Sequence, residues 1–390
     1  MTWARRNLFN TWYNSALTVL LGAIAAFVLV RLVRFVLLTG RWEIIRRNLT
    51  SILVGLFPRT ELWRVWLALF VIVIAAGVFA GALRARALVH GTERVVGSGI
   101  VRRVWPSLLL VGTLFVLRPS FVSAALIVAV VLVALAAFRL GRTIGGRWFR
   151  PTSIVTVVFV AATYLLLARF GGSPAERWGG LMLTFALASA GILLSFPFGV
   201  ALALGRRSSL PAVRMVCVGY IELIRGVPLI TMLFMGSFVL GFVLPRGMER
   251  PSLVTRAIVA LVMFTAAYVA EIVRGGLQAV GTGQTDAAYA VGLSPVASLR
   301  FIVLPQALRA VIPGLVGQFI TLFKDTSLVA IIGLTELLGI AQILTSQGDF
   351  VAQGLHAETL VFASFVYWTI SYTMSRESQR LERRLGVGTR

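Results

Sequence analysis

Lysine occurs once in this chain, at Lys324, cysteine once, at Cys217, and histidine twice, at His90 and His356. Each scarcity excludes a chemistry. A single cysteine leaves no intrachain disulfide and no thiolate metal site. The two histidines are far apart and neither has an acidic cluster beside it, so no metal ligands and no catalytic residues are expected. The lone lysine stands between Phe323 and Asp325, outside any Gly-Lys-Ser/Thr ending, and a phosphate-binding P-loop needs that lysine to reach the phosphates. If ATP drives this protein, a separate chain supplies the nucleotide site.

Charged residues are scarce as well, 13% against the quarter usual in soluble domains, while 58% of the chain is hydrophobic. Lipid is therefore the expected solvent. The runs Trp66 to Leu83 and Leu181 to Leu204 approach the roughly 20 apolar residues that cross a bilayer. The first run, Ala16 to Leu38, is long and lacks a small-residue cleavage site, so it reads as a retained anchor. The formal net charge is +23, and its arginines gather between apolar spans, at Arg84 to Arg103, Arg139 to Arg150, Arg206 to Arg214 and Arg376 to Arg384. That is the positive-inside distribution, reinforced by anionic lipid headgroups. It argues against a nucleic-acid partner, which needs a presented soluble surface.

Two regions follow. Residues 1–173 hold apolar spans separated by basic loops, with clear spans at Ala16 to Leu38, Leu62 to Leu83 and Thr152 to Ala168. The stretch Trp105 to Phe138 is too long for one crossing and is interrupted at Arg118-Pro119. Read as two short spans it makes five and keeps the parity of the topology; read as one it breaks that parity. From 41 to 57, Trp42, Ile45, Leu49, Ile52, Leu53 and Leu56 recur at helical spacing, which fits a helix lying on the membrane surface or an ordinary connector. Its arginines fall on an outer loop, against the topology. Residues 174–390 carry five more spans, approximately Gly180 to Leu204, Val213 to Leu244, Leu253 to Arg274, Leu308 to Leu334 and Glu358 to Met374. Pro228 and Pro313 are expected bend points, because proline removes an amide donor. The expected fold is thus all-α, an integral membrane protein of about ten spans. The basic loop Arg206 to Arg214, the long loop Gly275 to Arg300 and the C-terminal tail face the cytoplasm, while the loops near Pro245 to Pro251 and Gln347 to Ala357 face outward.

Four segments carry chemistry. Gly283 to Pro305 reads GQTDAAYAVGLSPVASLRFIVLP. Gln284 to Val291 favours helix, with Ala287, Ala288 and Val291 able to share a small apolar face. Gly292 ends it as a C-terminal glycine does, and Ser294-Pro295 opens a second short helix. The product is a compact hairpin with a face suited to a partner's groove. In Tyr220 to Phe234, Glu222 and Arg225 are three apart, a spacing that predicts an ion pair on one helix face, and Gly226 and Pro228 then weaken the helix. Glu271 and Arg274 repeat the spacing at the end of another span and read as structural support. Lys324 and Asp325, with Thr326 and Ser327, place both signs of charge in mid-span, chemically suited to a zwitterionic substrate. For Glu222, Arg225 and the group Lys324 to Ser327, a translocation path and a buried ion pair between helices are both open readings.

The first segment resembles the EAA coupling loop of ABC importer permeases, matched by Asp286, Ala287, Ala288, Gly292, Ile302, Leu304 and Pro305, with Asp286 where that family usually has glutamate. YIELIRGVP, AAYVAEIVRGG and FKDTSL resemble its polar amino-acid subfamily, and Arg5 to Thr18, Trp178 to Arg207 and Tyr372 to Arg384 resemble the long-N-terminus permease of general L-amino-acid importers. The resemblance implies a type I importer core over 174–390, with loop 281–305 docking an ABC ATPase through Asp286, Ala287, Ala288, Gly292, Leu304 and Pro305. It implies an inner-membrane protein of a bacterium that binds no cofactor itself, ATP–Mg residing in the ATPase subunits. It further implies a second permease as heterodimer partner and an extracytoplasmic amino-acid-binding protein. A secondary transporter driven by an ion gradient is the alternative, but its mark, inverted repeats with broken helices in both halves, is not visible.

Overall fold

The computed structural model describes residues 2–89, 100–117, 119, 121–144, 163, 174–239, 250–351 and 353–385. The expected span Thr152 to Ala168 lies outside the described residues apart from Thr163. Helices account for nearly all regular structure. In the first region they are α1 (Thr2–Asn7), α2 (Trp12–Arg34), α3 (Glu43–Val54), α4 (Leu62–Val89), α5 (Ile100–Leu117) and α6 (Phe121–Ile144). In the second they are α7 (Gly180–Gly205), α8 (Pro211–Arg225), α9 (Leu229–Phe234), α10 (Leu253–Ala279), α11 (Thr282–Ala290), α12 (Pro295–Ser298), α13 (Leu304–Asp325), α14 (Leu337–Leu344) and α15 (His356–Leu385). Among the described residues six helical stretches are long and apolar enough to cross a membrane, and a seventh is the broken pair α8–α9, bent by 107°. The long run around Arg118-Pro119 divides into α5 and α6.

Small residues set the closest contacts, as they do where lipid supplies no hydrophobic drive between helices. Gly77 and Gly81 of α4 face Ala137 and Gly141 of α6, and a Cβ at Gly81 would stand 2.2 Å from the Phe138 carbonyl oxygen. In the second region α10 is the central element. Ala257, Leu261, Ala266, Val269 and Val273 are fully buried, packed among α7, α8 and α13.

Of the two expected bends, one forms and one does not. The chain does break after Arg225, at Gly226–Pro228. At Pro313 it does not: α13 remains helical from Leu304 to Asp325, and the change of form comes at Thr326–Ile332, a 3-10 segment. One missing donor is absorbed where neighbouring turns stay packed.

The ends of the bundle are distinct. At one end α3, α14 and the starts of α7 and α15 meet, tied by a bridge between Gly55 and Trp178 and another between Gly180 and Glu336. At the other lie the end of α7, the hairpin α11–α12 and the end of α10. The helix predicted within 41–57 thus forms over Glu43–Val54, on the same end as the loop before α15. Its apolar face is covered by protein: Ile44, Ile45, Leu49 and Ile52 pack against α14 and α15.

Candidate functional site

The hairpin expected around Gly292 is built by local chemistry. After α11 the chain turns at Gly292 (φ +83), a left-handed conformation that glycine adopts without cost. The Gly292 amide donates to the Tyr289 carbonyl at 2.9 Å, and the Leu293 amide to the Ala288 carbonyl at 3.0 Å, which is the paired bonding of a Schellman C-cap. Ser294 Oγ then accepts from the Ala297 amide at 3.3 Å, with Pro295 opening α12. Gln306 Nε2 donates to Gln284 Oε1 at 3.1 Å and braces α11 on α13, beside an open cavity of about 400 Å³. The small apolar face divides. Ala288 is buried against its own chain, whereas Ala287, Tyr289 and Val291 are exposed, joined by Val296 and Phe301 at 74% and 65% exposure. Asp286 and Pro305 are exposed and Leu304 is half-buried.

Beside the hairpin, one carboxylate holds three guanidinium groups. Glu271 Oε1 accepts from Arg206 at 2.7 Å, and its Oε2 lies 2.9 Å from Arg274 and 3.4 Å from Arg225. Arg206 also reaches Glu222 at 3.2 Å. The pair predicted within α8 is therefore exchanged for two tertiary pairs: Arg225 goes to Glu271, Glu222 to Arg206. Glu271 is the more enclosed acceptor, with 15% of its side chain exposed against 57% for Glu222, and charges attract more strongly where less water screens them. The cluster joins the ends of α7, α8 and α10, and Arg274 Nη1 extends it to Gln278, four residues before α11.

In mid-bundle the polar group Lys324 to Ser327 is divided between faces. Lys324 is exposed and Asp325 half-buried, and no ion pair joins them, because neighbouring helical residues point about 100° apart. Thr326 is fully buried and its hydroxyl donates to the Phe323 carbonyl at 2.7 Å, while Ser327 is half-buried.

Sequence reasoning missed Glu336. It is fully buried and caps α14, accepting from the Leu338 and Gly339 amides at 2.9 and 2.8 Å. The same carboxylate accepts from the Tyr367 hydroxyl of α15 at 2.7 Å and lies 3.4 Å from Thr184 of α7. Burial pushes this carboxyl above the ordinary range, and the Tyr367, Leu338, Gly339 and Thr184 donors pull it back. The only signal in the sequence is an acid directly before the apolar run Leu337 to Leu344. Glu336→Ala leaves two amides and a phenol unpaired, at roughly 1–3 kcal/mol each. A lower unfolding temperature of the purified protein is expected, with Glu336→Gln falling between, since its one carbonyl oxygen accepts from only one of the two amides. Equal unfolding temperatures for all three proteins would remove the capping role. Arg206, Tyr289, Val296 and Phe301 were missed for a related reason, since none stands out until the fold places it.

Comparison with known proteins gives the family. Residues 195–387 match the family profile described as binding-protein-dependent transport system inner membrane component. The chain is 34% identical to the inner membrane amino-acid ABC transporter permease protein YhdY of Escherichia coli, over 100% of this chain and 94% of that protein. It is 33% identical to the glutamate/glutamine/aspartate/asparagine transport system permease protein BztC of Rhodobacter capsulatus, over 98% and 93%. The probable glutamine ABC transporter permease protein GlnP of Bacillus subtilis is 37% identical, over 53% of this chain and 91% of its own length.

Proposed function

The chain belongs to the amino-acid ABC transporter permeases, and from that premise we propose how its parts divide the work of import. It is a multi-pass inner-membrane permease subunit that carries polar L-amino acids into the cell. The observation that carries the mechanism is the capped hairpin α11–α12, which presents Tyr289, Val291, Val296 and Phe301 uncovered at one end of the bundle. On this reading that end is cytoplasmic and an ATPase subunit grips the hairpin. ATP–Mg is bound and hydrolysed in that partner.

Closure of the ATPases moves the hairpin, and the charge cluster on Glu271 carries the motion into α7, α8 and α10, because Arg274 and Gln278 lie directly before α11. Gly226 and Pro228 supply the joint at which α8 and α9 change angle. The central cavity forms against a second, non-identical permease. Lys324 supports that placement: a charged side chain exposed in mid-span is costly in lipid, and a polar cavity between subunits relieves the cost. Lys324 and Asp325 then offer an ammonium and a carboxylate to a zwitterion, with Ser327 beside them, while Thr326 contributes to packing. Glu222 and Arg225, both partly exposed, edge the same route. An extracytoplasmic binding protein delivers the substrate.

Uptake into proteoliposomes carrying the assembled complex is expected to require ATP and to continue when ion gradients are collapsed by ionophores. Uptake by vesicles holding the permeases without ATPase subunits, lost on adding ionophore, would establish a gradient-driven carrier instead.

A further inference from the structure

Helix α3 has two faces of opposite character. Ile44, Ile45, Leu49 and Ile52 are at most 6% exposed, held against Leu337, Ile340, Ala341 and Leu344 of α14 and Phe362, Ala363 and Val366 of α15. The helix is fastened at both ends as well. The Arg41 amide donates to Glu358 Oε1 at 3.1 Å and its guanidinium to the Gln353 carbonyl, while Gly55 bridges to Trp178. Glu43, Arg46 and Arg47 occupy the other face, all exposed, with exposed Arg59 in the turn that follows.

The charge on this face runs against the positive-inside distribution, as Arg246 and Arg250 in the outward loop also do. Between Arg41 and Arg59 there are four arginines and one glutamate. The segment lies at the bundle end opposite the hairpin, which on the importer reading is the outer side, where arginine is disfavoured during insertion. Lipid does not account for it, since Ile44, Ile45, Leu49 and Ile52, the face that would enter a bilayer, are covered by α14 and α15, and of the expected apolar set only Leu56, beyond the helix, is left exposed. Internal pairing accounts for part: Arg47 Nε donates to Glu43 Oε1 at 2.8 Å, Asp349 in the loop before α15 adds a second negative charge that Arg47 feels, and Arg59 donates to Ser51 Oγ at 3.0 Å. The Arg47 guanidinium holds the Glu43 carboxyl below the usual carboxylate range, so the pair stays charged in mildly acidic surroundings. The positive charge that remains, on Arg46 and Arg59 above all, is left for a partner outside the membrane. The family is binding-protein-dependent, and α3 lies outside the stretch 195–387 that the family profile matches.

We propose that the arginine face of α3 is a docking ledge for the extracytoplasmic solute-binding protein, an acidic surface of which lies against Arg46, Arg47 and Arg59. This rests on the importer reading. The ledge sits on α14, whose cap Glu336 ties α7 and α15 together, so a protein seated there bears directly on the outer ends of three core helices. Rim charges of this kind set association rate and salt sensitivity more than contact energy.

The test uses the complete complex in nanodiscs and the substrate-loaded binding protein that stimulates wild-type ATP hydrolysis. Arg46→Glu/Arg47→Glu is expected to raise the binding-protein concentration for half-maximal stimulation by about tenfold or more and to reduce its salt dependence, with basal and maximal hydrolysis unchanged. A photo-crosslinker at position 46 is expected to capture the binding protein. Half-maximal stimulation within about twofold of wild type overturns the ledge. So does a shift that disappears in nanodiscs free of anionic lipid, which would make the face a headgroup site. If hydrolysis falls in both basal and stimulated states, Arg46→Gln/Arg47→Gln and the crosslink decide, and absence of the crosslink overturns the ledge. A wild-type complex that no binding protein stimulates overturns the importer reading and the ledge with it, whereas a stimulated wild type beside an indifferent variant overturns the ledge alone.

Discussion

Glu271→Ala abolishes ATP-driven uptake, by about a hundredfold or more, and lowers the unfolding temperature of the assembled complex; vesicle uptake and thermal unfolding in detergent are the measurements. The reason lies in how many cations one carboxylate holds. Arg206, Arg225 and Arg274 all converge on Glu271, and among the described residues only Arg206 makes a second ion-pair contact, to the exposed Glu222, whose charge also acts on Arg274 at longer range. Without it three guanidinium groups repel one another at the junction of α7, α8 and α10. Removing one member of a fully buried pair costs about 3–5 kcal/mol, and here, with the arginine side chains a quarter to a third exposed, about 2–3 kcal/mol is the better estimate. That loss falls between the hairpin and the helices it must move, so coupling fails before folding does. Glu222→Ala, at a side chain 57% exposed and bonded to Arg206 alone, costs less than about 1 kcal/mol. Removing Arg206 together with Glu271 relieves one of the repelling charges and returns part of the stability, which a double-mutant cycle detects. Glu271→Ala with uptake within about twofold of wild type would end the idea that this cluster transmits motion.

How much of this was legible depends on the distance over which each feature is decided. The hairpin was legible because its determinants are local: Gly292 turns left-handed, Ser294 caps, Pro295 starts the next helix, all within four residues. The breaks at Gly226–Pro228 and around Pro119 were legible for the same reason. The pairing of Glu222 with Arg225 was read from spacing, and spacing permits that pair. It was outcompeted by Arg206 and Glu271, 16 and 46 residues away from the pair's two members, because tertiary packing offered a better-shielded partner. The amphipathic period of α3 was visible, but a period states only that one face is apolar; whether lipid or α14 covers it is decided by a segment some 290 residues later. Glu336 was illegible for the opposite reason. An acid at the border of an apolar run looks like an exposed terminus, and only the arrival of Tyr367 and Thr184 makes it a buried centre. Pro313 shows the limit of the local rule: a proline that would break an isolated helix is carried inside α13.

Val291→Asp separates the two faces of the hairpin and has the second-largest expected effect. Val291 is 76% exposed and Tyr289 48%, next to Val296 and Phe301, an apolar group at the aqueous end of the bundle that nothing among the described residues covers. Exposed apolar patches of this kind mark a surface that another protein buries. A carboxylate placed there stays hydrated in the isolated permease and is desolvated only on docking, so folding is spared and association suffers by several kcal/mol. Loss of co-purifying ATPase subunits and a fall in uptake of about a hundredfold are therefore expected, with the unfolding temperature of the permease unchanged. Ala288→Asp behaves in the reverse order. Ala288 is 4% exposed and its carbonyl accepts the Leu293 amide that closes the C-cap, so the charge is forced into the hairpin itself and the unfolding temperature drops. A Val291→Asp permease that still co-purifies with its ATPase and transports at the wild-type rate would show that the exposed face of α11 is not where the motor grips.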